Sequence, residues 1–480
     1  MNRRMVLYTV GNVIKLEAAL LILPLITSLI YKESCAVDFL ITIAVALIIG
    51  FAATLIFKPT SKVIFAKEGF VIVALCWIAL SAIGALPFYL SREIPSYIDA
   101  LFETVSGFTT TGASILTDVE SMSRGILFWR SFTHWIGGMG VLVFVMAVAN
   151  SLSDRSIHIL RAEVPGPIVG KIVPRIKQTT RILYIIYIVI TAVEVILLLA
   201  GGMPFFDSLI HAFGTAGTGG FGIKSDSITS YSTYLQWVIT IFMLLFGVNF
   251  NLYYLLIIKK FKESLKSSEL WVYLGIVAAS ISVITLNILS SYDSFGKAFT
   301  DASFQVSSVI TTTGYATADF DTWPGLSKTI LFILMFIGAC AGSTGGGFKV
   351  SRLIIVIKSI KRELKKLLHP RSVGAIRFEG KGLEEDTIRS VSAYFAIYIM
   401  FFFTIVLLLS FDSFDLETNI SAATACFNNI GPGFKEVGPA MNYSLYSPFA
   451  KIVLSLAMLF GRLEIYPLIL TLSPSTWTKK

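Results

Sequence analysis

The chain has 480 residues, of which 55% are hydrophobic and 14% charged, with a formal net charge of +9. Soluble domains carry about 25% charged residues, so this composition excludes a soluble globular protein and predicts an all-α polytopic membrane protein. Nor does the positive balance call for a nucleic-acid partner, because it follows from how the basic residues are distributed about the membrane.

Crossing about 30 Å of hydrocarbon takes about 20 apolar residues as a helix. The runs here are continuous rather than alternating every second residue, which favours helices over barrel strands. The first run, residues 6–30, follows Asn2, Arg3 and Arg4. It lacks a small-residue cleavage site and is long enough to span, so it reads as a retained helix. Long helices are predicted near 6–30, 37–57, 69–90, 125–150, 179–201, 233–258, 270–290, 325–358, 388–410 and 446–472. Between alternate members lie four shorter amphipathic segments, 98–112, 204–220, 298–314 and 416–431, each ending in glycine. They are too short to span and read as re-entrant segments. Cys35, Cys76, Cys340 and Cys426 are scattered, with neither disulfide nor zinc spacing.

The N-terminus, 58–68, 151–181, 259–269, 349–389 and the C-terminus hold 28 of the 39 Lys and Arg residues. The positive-inside rule places these segments, and both termini, in the cytoplasm. The basic 349–389 stretch reads as a solvated topology determinant, or else as a contact with lipid or a partner protein.

With that topology each re-entrant segment enters from outside, and the chain divides into two leading helices and four copies of helix, short helix with loop, helix. The copies are expected at 63–152, 153–262, 263–370 and 371–480, after an N-terminal domain at 1–62. Aligned on glycine, the loops read TTGA (110–113), TGGF (218–221), TTGY (312–315) and NIGP (429–432). A glycine in each permits positive φ or close approach. Four loops about one axis could offer carbonyl oxygens to a dehydrated cation, aided by the negative ends of the short helices. The hydroxyls of Thr110, Thr111, Thr218, Thr312 and Thr313 could add ligands or hold the loops. The alternative is that Thr and Gly only cap short helices.

"FETVSGFTTTGAS" (102–114), "WRSFTHWIGGMGVLV" (129–143), "GTGGFG" (217–222), "GVNFNLYY" (247–254), "VSSVITTTGYATADFDTWP" (306–324), "AGSTGGGFKVSR" (341–352), "NNIGPGF" (428–434) and "FGRLEIYP" (460–467) resemble the Trk/Ktr/HKT superfamily of potassium transporters, TrkH-type membrane subunits in particular. The resemblance covers essentially the whole chain, and the two leading helices look like the extra N-terminal domain of that type. It implies four membrane–pore–membrane repeats around a pseudo-fourfold pore, a homodimer in the bacterial inner membrane with one pore per subunit, and a TrkA-like cytosolic nucleotide-binding regulator. The filter it implies comprises Thr110, Thr111 and Gly112; Thr218, Gly219 and Gly220; Thr312, Thr313 and Gly314; and Asn429, Ile430 and Gly431. Plant relatives with serine in the first repeat favour sodium, so Gly112 points to K+ as the transported ion. The fourth loop departs most from the pattern, with Asn429, Ile430 and Pro432.

The 34 residues of 325–358 would measure about 51 Å as one helix. Their middle, "GACAGSTGGG" (338–347), contains five glycines, each costing about 1 kcal/mol in a helix. A break is therefore expected, and irregular backbone at membrane depth survives only against protein or a cavity. The resemblance makes this an intramembrane gate with Gly342, Ser343, Thr344, Gly345, Gly346 and Gly347; a passive kink is the alternative. "GSTGGGFK" lacks the adjacent Gly-Lys-Ser/Thr of a phosphate loop. Arg462, inside the last apolar helix, must face protein or water. The resemblance puts it under the filter and against the gate, and the other possibility is a structural pair with Glu464 or another acid. His134, Trp135 and Glu103 have milder claims, Glu103 as a cation attractor or a buried cap, while Lys15 and Glu17 suit the N-terminal interface.

The rival from another class is an intramembrane hydrolase. The four histidines, His134, His158, His211 and His369, show no metal-ligand spacing. Within transport, a sodium-preferring or cation-coupled symporter stays open, with Glu194 as an intramembrane acid. No organic cofactor is expected.

Overall fold

In the computed structural model, residues 1–59, 64–138, 140, 176–372 and 374–478 are described. Helix α1 (Arg3–Leu20) and helix α2 (Ile22–Ile30) form one apolar stretch broken at Leu21, and α3 (Ala36–Ile56) returns beside α1. Two glycines permit the close crossing. A Cβ on Gly11 would lie 2.8 Å from Ala53 Cβ, and one on Gly50 would lie 2.6 Å from Lys15 Cγ. Gly50 thus receives the aliphatic stem of Lys15, whose ammonium reaches Thr54 Oγ1 at 3.3 Å and lies over the Phe51 ring, as long cationic side chains do at membrane edges.

Four similar series follow. The first is α4 (Ala66–Gly84), its short continuation α5 (Leu86–Leu90), α6 (Tyr97–Phe108) and α7 (Arg124–Gly138). The second is α8 (Ile176–Ala200), α9 (Phe205–Gly217), α10 (Thr233–Phe246) and α11 (Phe250–Ile257), followed by the connecting turn α12 (Phe261–Leu265). The third is α13 (Ser268–Ile288), α14 (Phe295–Ile310), α15 (Gly325–Ile337) and α16 (Val350–Leu368). A two-stranded hairpin, β1 (Arg377–Phe378) with β2 (Lys381–Gly382), leads into the fourth. That series comprises α17 (Glu385–Leu409), α18 (Leu416–Phe427), α19 (Pro448–Arg462) and α20 (Tyr466–Leu472).

The short helices α6, α9, α14 and α18 are buried almost all round at their C-terminal ends; in α6 every residue from Phe102 to Phe108 is buried. Side-chain caps at Ser96, Ser294 and Asp415 begin three of them, which satisfies backbone N–H groups that a helix start leaves unpaired. Helix α7 packs on α9, α10 on α14, α15 on α18, and α19 back on α6. The bundle therefore closes on itself. Lys451 near the start of α19 and Asp99 of α6 strengthen the closing seam, Nζ to Oδ1 2.7 Å.

Six helical stretches among the described residues are long and apolar enough to span. The predicted helices 125–150, 233–258, 325–358 and 446–472, those that follow the glycine loops, are not among them. The first is described only to Gly138 and at residue 140; its remainder, the 151–175 connection and the expected boundaries at 62 and 152 lie outside the described residues. The second bends by 89° between α10 and α11. There Asn249 starts a new helix by accepting from Asn251 N–H at 3.0 Å. The third breaks as expected from its glycines. The fourth stops at Arg462, because Glu464 and Ile465 take φ of +57° and +68°, so Arg462 ends a helix instead of lying within one. The 349–389 stretch is not wholly solvated either: Lys349 and Arg352 are buried.

Candidate functional site

All four glycine loops share one backbone construction. At the end of α6, Thr110 N–H bonds to Gly107 O and Thr111 N–H to Ser106 O. The same pairs recur as Thr218 to Thr215 and Gly219 to Gly214, Thr312 to Val309 and Thr313 to Ser308, and Asn429 to Cys426 and Ile430 to Ala425. This is the Schellman termination, which puts its first non-helical residue in the left-handed region and usually chooses glycine there. Here that residue is Thr110, Thr218, Thr312 or Asn429, with φ between +54° and +60°. A β-branched residue in this region is an outlier and costs about 1–3 kcal/mol. The capping geometry is thus real, yet it does not explain the glycines: Gly112, Gly220, Gly314 and Gly431 follow two residues later, again with positive φ.

Close approach between loops accounts for them. A Cβ on Gly112 would lie 1.9 Å from Gly219 O, on Gly220 2.1 Å from Thr313 O, on Gly314 2.1 Å from Ile430 O, and on Gly431 2.7 Å from Thr111 O. Each glycine makes room for the carbonyl of the next loop, and the fourth returns to the first. The loops abut in a closed ring of contacts. A cavity of about 160 Å³ touches all four glycines from the side of the residues that follow them, among them Ser114, Gly222 and Tyr443.

The side chains differ by loop. Gly219 stands where the other loops have Thr or Ile because the His134 ring occupies the space, 2.4 Å from a Cβ there; His134 Nδ1 pairs with Gly107 O at 2.7 Å. Asn429 donates to Thr111 Oγ1 and to Met458 O, both at 2.9 Å, so the divergent fourth loop is tied to the first. Thr111 and Thr313 hydroxyls pair with Thr109 and Thr311, and Thr218 bonds its neighbour Gly217 O. Thr110 Oγ1 is buried with no hydrogen-bond partner among the described residues. Glu103 is a buried structural acid: it accepts from Arg130 Nε at 2.6 Å, Ser114 Oγ at 2.9 Å and Ile115 N at 3.0 Å. Arg130 also donates to Gly222 O, so the pair braces the exits of the first two loops.

On the opposite end of the ring lies the break between α15 and α16. Gly346 N–H donates to Thr312 Oγ1 at 2.7 Å, and a Cβ on Gly345 or Gly346 would lie 2.9 Å from Thr311 O or 2.4 Å from Asn428 O. The segment is pressed against the ends of α14 and α18. Gly342 O accepts from Phe250 N–H, Gly247 O from Cys340 N–H, and Phe246 O from Thr344 Oγ1, so the bend between α10 and α11 receives it. Ser343 Oγ bonds back to Cys340 O, and Gly347 has φ of +73° and crowds Gly338. Arg462 bridges Thr344 O and Gly137 O, each at 2.7 Å. Among the described residues Glu464 pairs with Arg352, at 2.5 Å.

Comparison with known proteins accords with this architecture. A family model described as TrkH, cation transport protein, matches residues 37–272 and 270–479. The chain belongs to the TrkH family of cation transport proteins. Among its relatives, the Trk system potassium uptake protein TrkG of Escherichia coli K12 is 35% identical over 99% of this chain and 98% of its own. The corresponding TrkH of Salmonella typhimurium LT2 is 35% identical over 99% and 100%. The crystal structure of the potassium transporter TrkH from Vibrio parahaemolyticus superposes with a TM-score of 0.90 at 33% identity and covers 100% of both chains. This TrkH-family chain is therefore a multi-pass membrane transport protein and not an enzyme.

Three groups around the site escaped sequence reasoning. Lys349 is 2% exposed and donates to Gly345 O. Arg130 neutralises Glu103 across 27 residues of sequence. Glu269 accepts from both Ala341 and Ser351 N–H groups. Signals existed for Lys349, a lysine directly after an apolar glycine-rich run, and for Arg130, an arginine within the predicted 125–150 helix; Glu269 falls at the end of the 259–269 connection and reads as solvent-facing.

Proposed function

We propose that the chain is a potassium-uptake subunit of the bacterial inner membrane, in which the four-loop ring is a selectivity filter and 338–347 is its gate. The ring of loop carbonyls against loop glycines carries this reading. An ion that sheds its water needs replacement oxygens, which closely spaced backbone carbonyls supply without side-chain charge. The C-terminal ends of α6, α9, α14 and α18 converge on the ring and each adds about half a unit of negative charge. Gly112, rather than serine, favours potassium, as do the potassium-uptake names of the relatives.

The gate reading rests on contact. The glycine-rich segment fills the space directly under the third and fourth loops, and the guanidinium of Arg462 holds its Thr344 carbonyl. At an effective dielectric of about 20, a cation within about 8 Å of that guanidinium is repelled by about 2 kcal/mol. Closure thus combines a steric plug with a positive field. The five units 1–62, 63–152, 153–262, 263–370 and 371–480, cytoplasmic termini, a homodimer embedded in lipid and a TrkA-like cytosolic nucleotide-binding regulator belong to the same proposal.

The test is uptake. With its regulator supplied, the protein should restore growth of a potassium-uptake-deficient bacterium at low potassium. Absence of rescue, with the protein present in the membrane, would overturn the proposal.

A further inference from the structure

We propose that Glu269 is the latch of the gate and that the hairpin formed by β1 and β2 is its handle on the cytoplasmic side, an inference that rests on the gate reading above. A break in a membrane helix leaves backbone N–H groups without helical partners in the irregular segment and in the first turn of the helix that resumes after it. Here one carboxylate oxygen serves both. Glu269 Oε1 accepts from Ala341 N–H at 2.7 Å, where the irregular segment begins, and from Ser351 N–H at 3.0 Å, where α16 resumes. The carboxyl oxygen therefore pinches the two ends of the loop together at the N-terminal end of α16. Glu269 is 4% exposed, and it belongs to the first turn of α13, a different element from either end of the loop.

The first turn of α13 is itself held from outside the membrane helices. Glu379 Oε1 accepts from Ser267 Oγ at 3.2 Å, Ser268 Oγ at 3.0 Å and Glu269 N–H at 3.0 Å. Glu379 and Gly380 form the two-residue turn of the hairpin, with φ of +47° and +74°, the primed geometry that suits a tight hairpin. The hairpin is also fastened to α16: Lys358 Nζ donates to Arg377 O at 2.8 Å, and Phe378 is buried in the cluster that contains Val350, Ile354 and Ile355. One exposed turn thus touches the residue that latches the gate and the helix that leaves it. A force that lifts the hairpin removes the three bonds positioning Glu269 and tilts α16, so both ends of the loop are released together.

Glu269 acts on the gate as a positioning residue, and its test separates that role from folding. Ion flux is measured in liposomes for the intact protein, for a variant lacking residues 343–346, and for Glu269→Ala, Glu269→Gln and Glu379→Ala in each background. Cys340, buried beside the latch, is probed with a maleimide after the other three cysteines are replaced by alanine. Expected are about tenfold higher flux and faster Cys340 labelling for E269A, a rise of about threefold for E379A, and flux near the starting value for E269Q, whose amide oxygen still accepts both N–H groups. In the shortened background none of the substitutions should add further flux. If removing 343–346 raises flux while E269A in the full loop changes neither flux nor labelling, the latch is refuted and the gate reading stands. An equal rise from E269A in both backgrounds also refutes the latch. If the shortened loop itself leaves flux unchanged, the gate reading fails.

Discussion

Gly112→Ala isolates the part of the account that concerns ion selection. The added Cβ would fall 1.9 Å from the carbonyl oxygen of Gly219, whereas ordinary contact begins at 3.4 Å. One partner must therefore yield by about 1.5 Å, and the backbone must hold an L-residue at φ of +79°. Strain of this kind amounts to about 1–3 kcal/mol. Expressed through displacement of one ring carbonyl, it corresponds to about a 5–150-fold change in the relative stabilisation of two ions. Gly202→Ala is the control: its φ is +84°, but nothing lies within 4 Å of the new Cβ, so it carries the backbone strain without the collision. Rubidium uptake into liposomes, competed with potassium and with sodium, measures the preference. Gly112→Ala should lower the potassium-to-sodium preference by at least fivefold, and Gly202→Ala should leave it unchanged. A Gly112→Ala protein that folds and melts like the parent, with unaltered preference, would refute the reasoning.

Arg462→Ala removes both the hydrogen bond to Thr344 O and the positive field, so basal flux should rise by about 10–30-fold, from about 2 kcal/mol of repulsion; equal or lower flux in folded protein contradicts the placement. Thr312→Val deletes only the bond to Gly346 N–H and should give a smaller rise, a few-fold, in the same assay. Arg130→Met leaves Glu103 buried without its partner, a loss of about 3–5 kcal/mol for a buried pair; the melting temperature should fall by several degrees and recover in part in Glu103→Gln/Arg130→Met.

Much of the fold was legible because lipid allows few solutions. Continuous apolar runs located most long helices within a few residues, and glycine density located the break at 338–347, where helix propensity and length conflicted. The glycine quartet was visible as a repeat. Its cause was not, since the carbonyls that exclude a Cβ belong to loops about 100 residues away along the chain for three of the glycines and about 320 for Gly431. The Schellman geometry with threonine at the left-handed position was likewise hidden, because threonine reads there as a hydroxyl ligand or an ordinary cap. Bends at Gly247–Asn249 and Leu463–Ile465 leave no trace in hydropathy, which averages across them. Lys349 and Arg352 read as solvated because Gly345 O is a backbone group and Glu464 lies 112 positions on. Local pattern thus reports which segments enter the membrane. Charge pairing and close backbone approach depend on partners that only the folded chain assembles.

The central claim is that the ring binds a dehydrated alkali ion on its axis. Anomalous diffraction from crystals grown in rubidium tests it directly: the account predicts a peak centred among the carbonyls of Thr111, Gly219, Thr313 and Ile430, lost when rubidium is exchanged for lithium. A map in which the axis between the four loops is empty, with rubidium bound elsewhere in the protein, would contradict it.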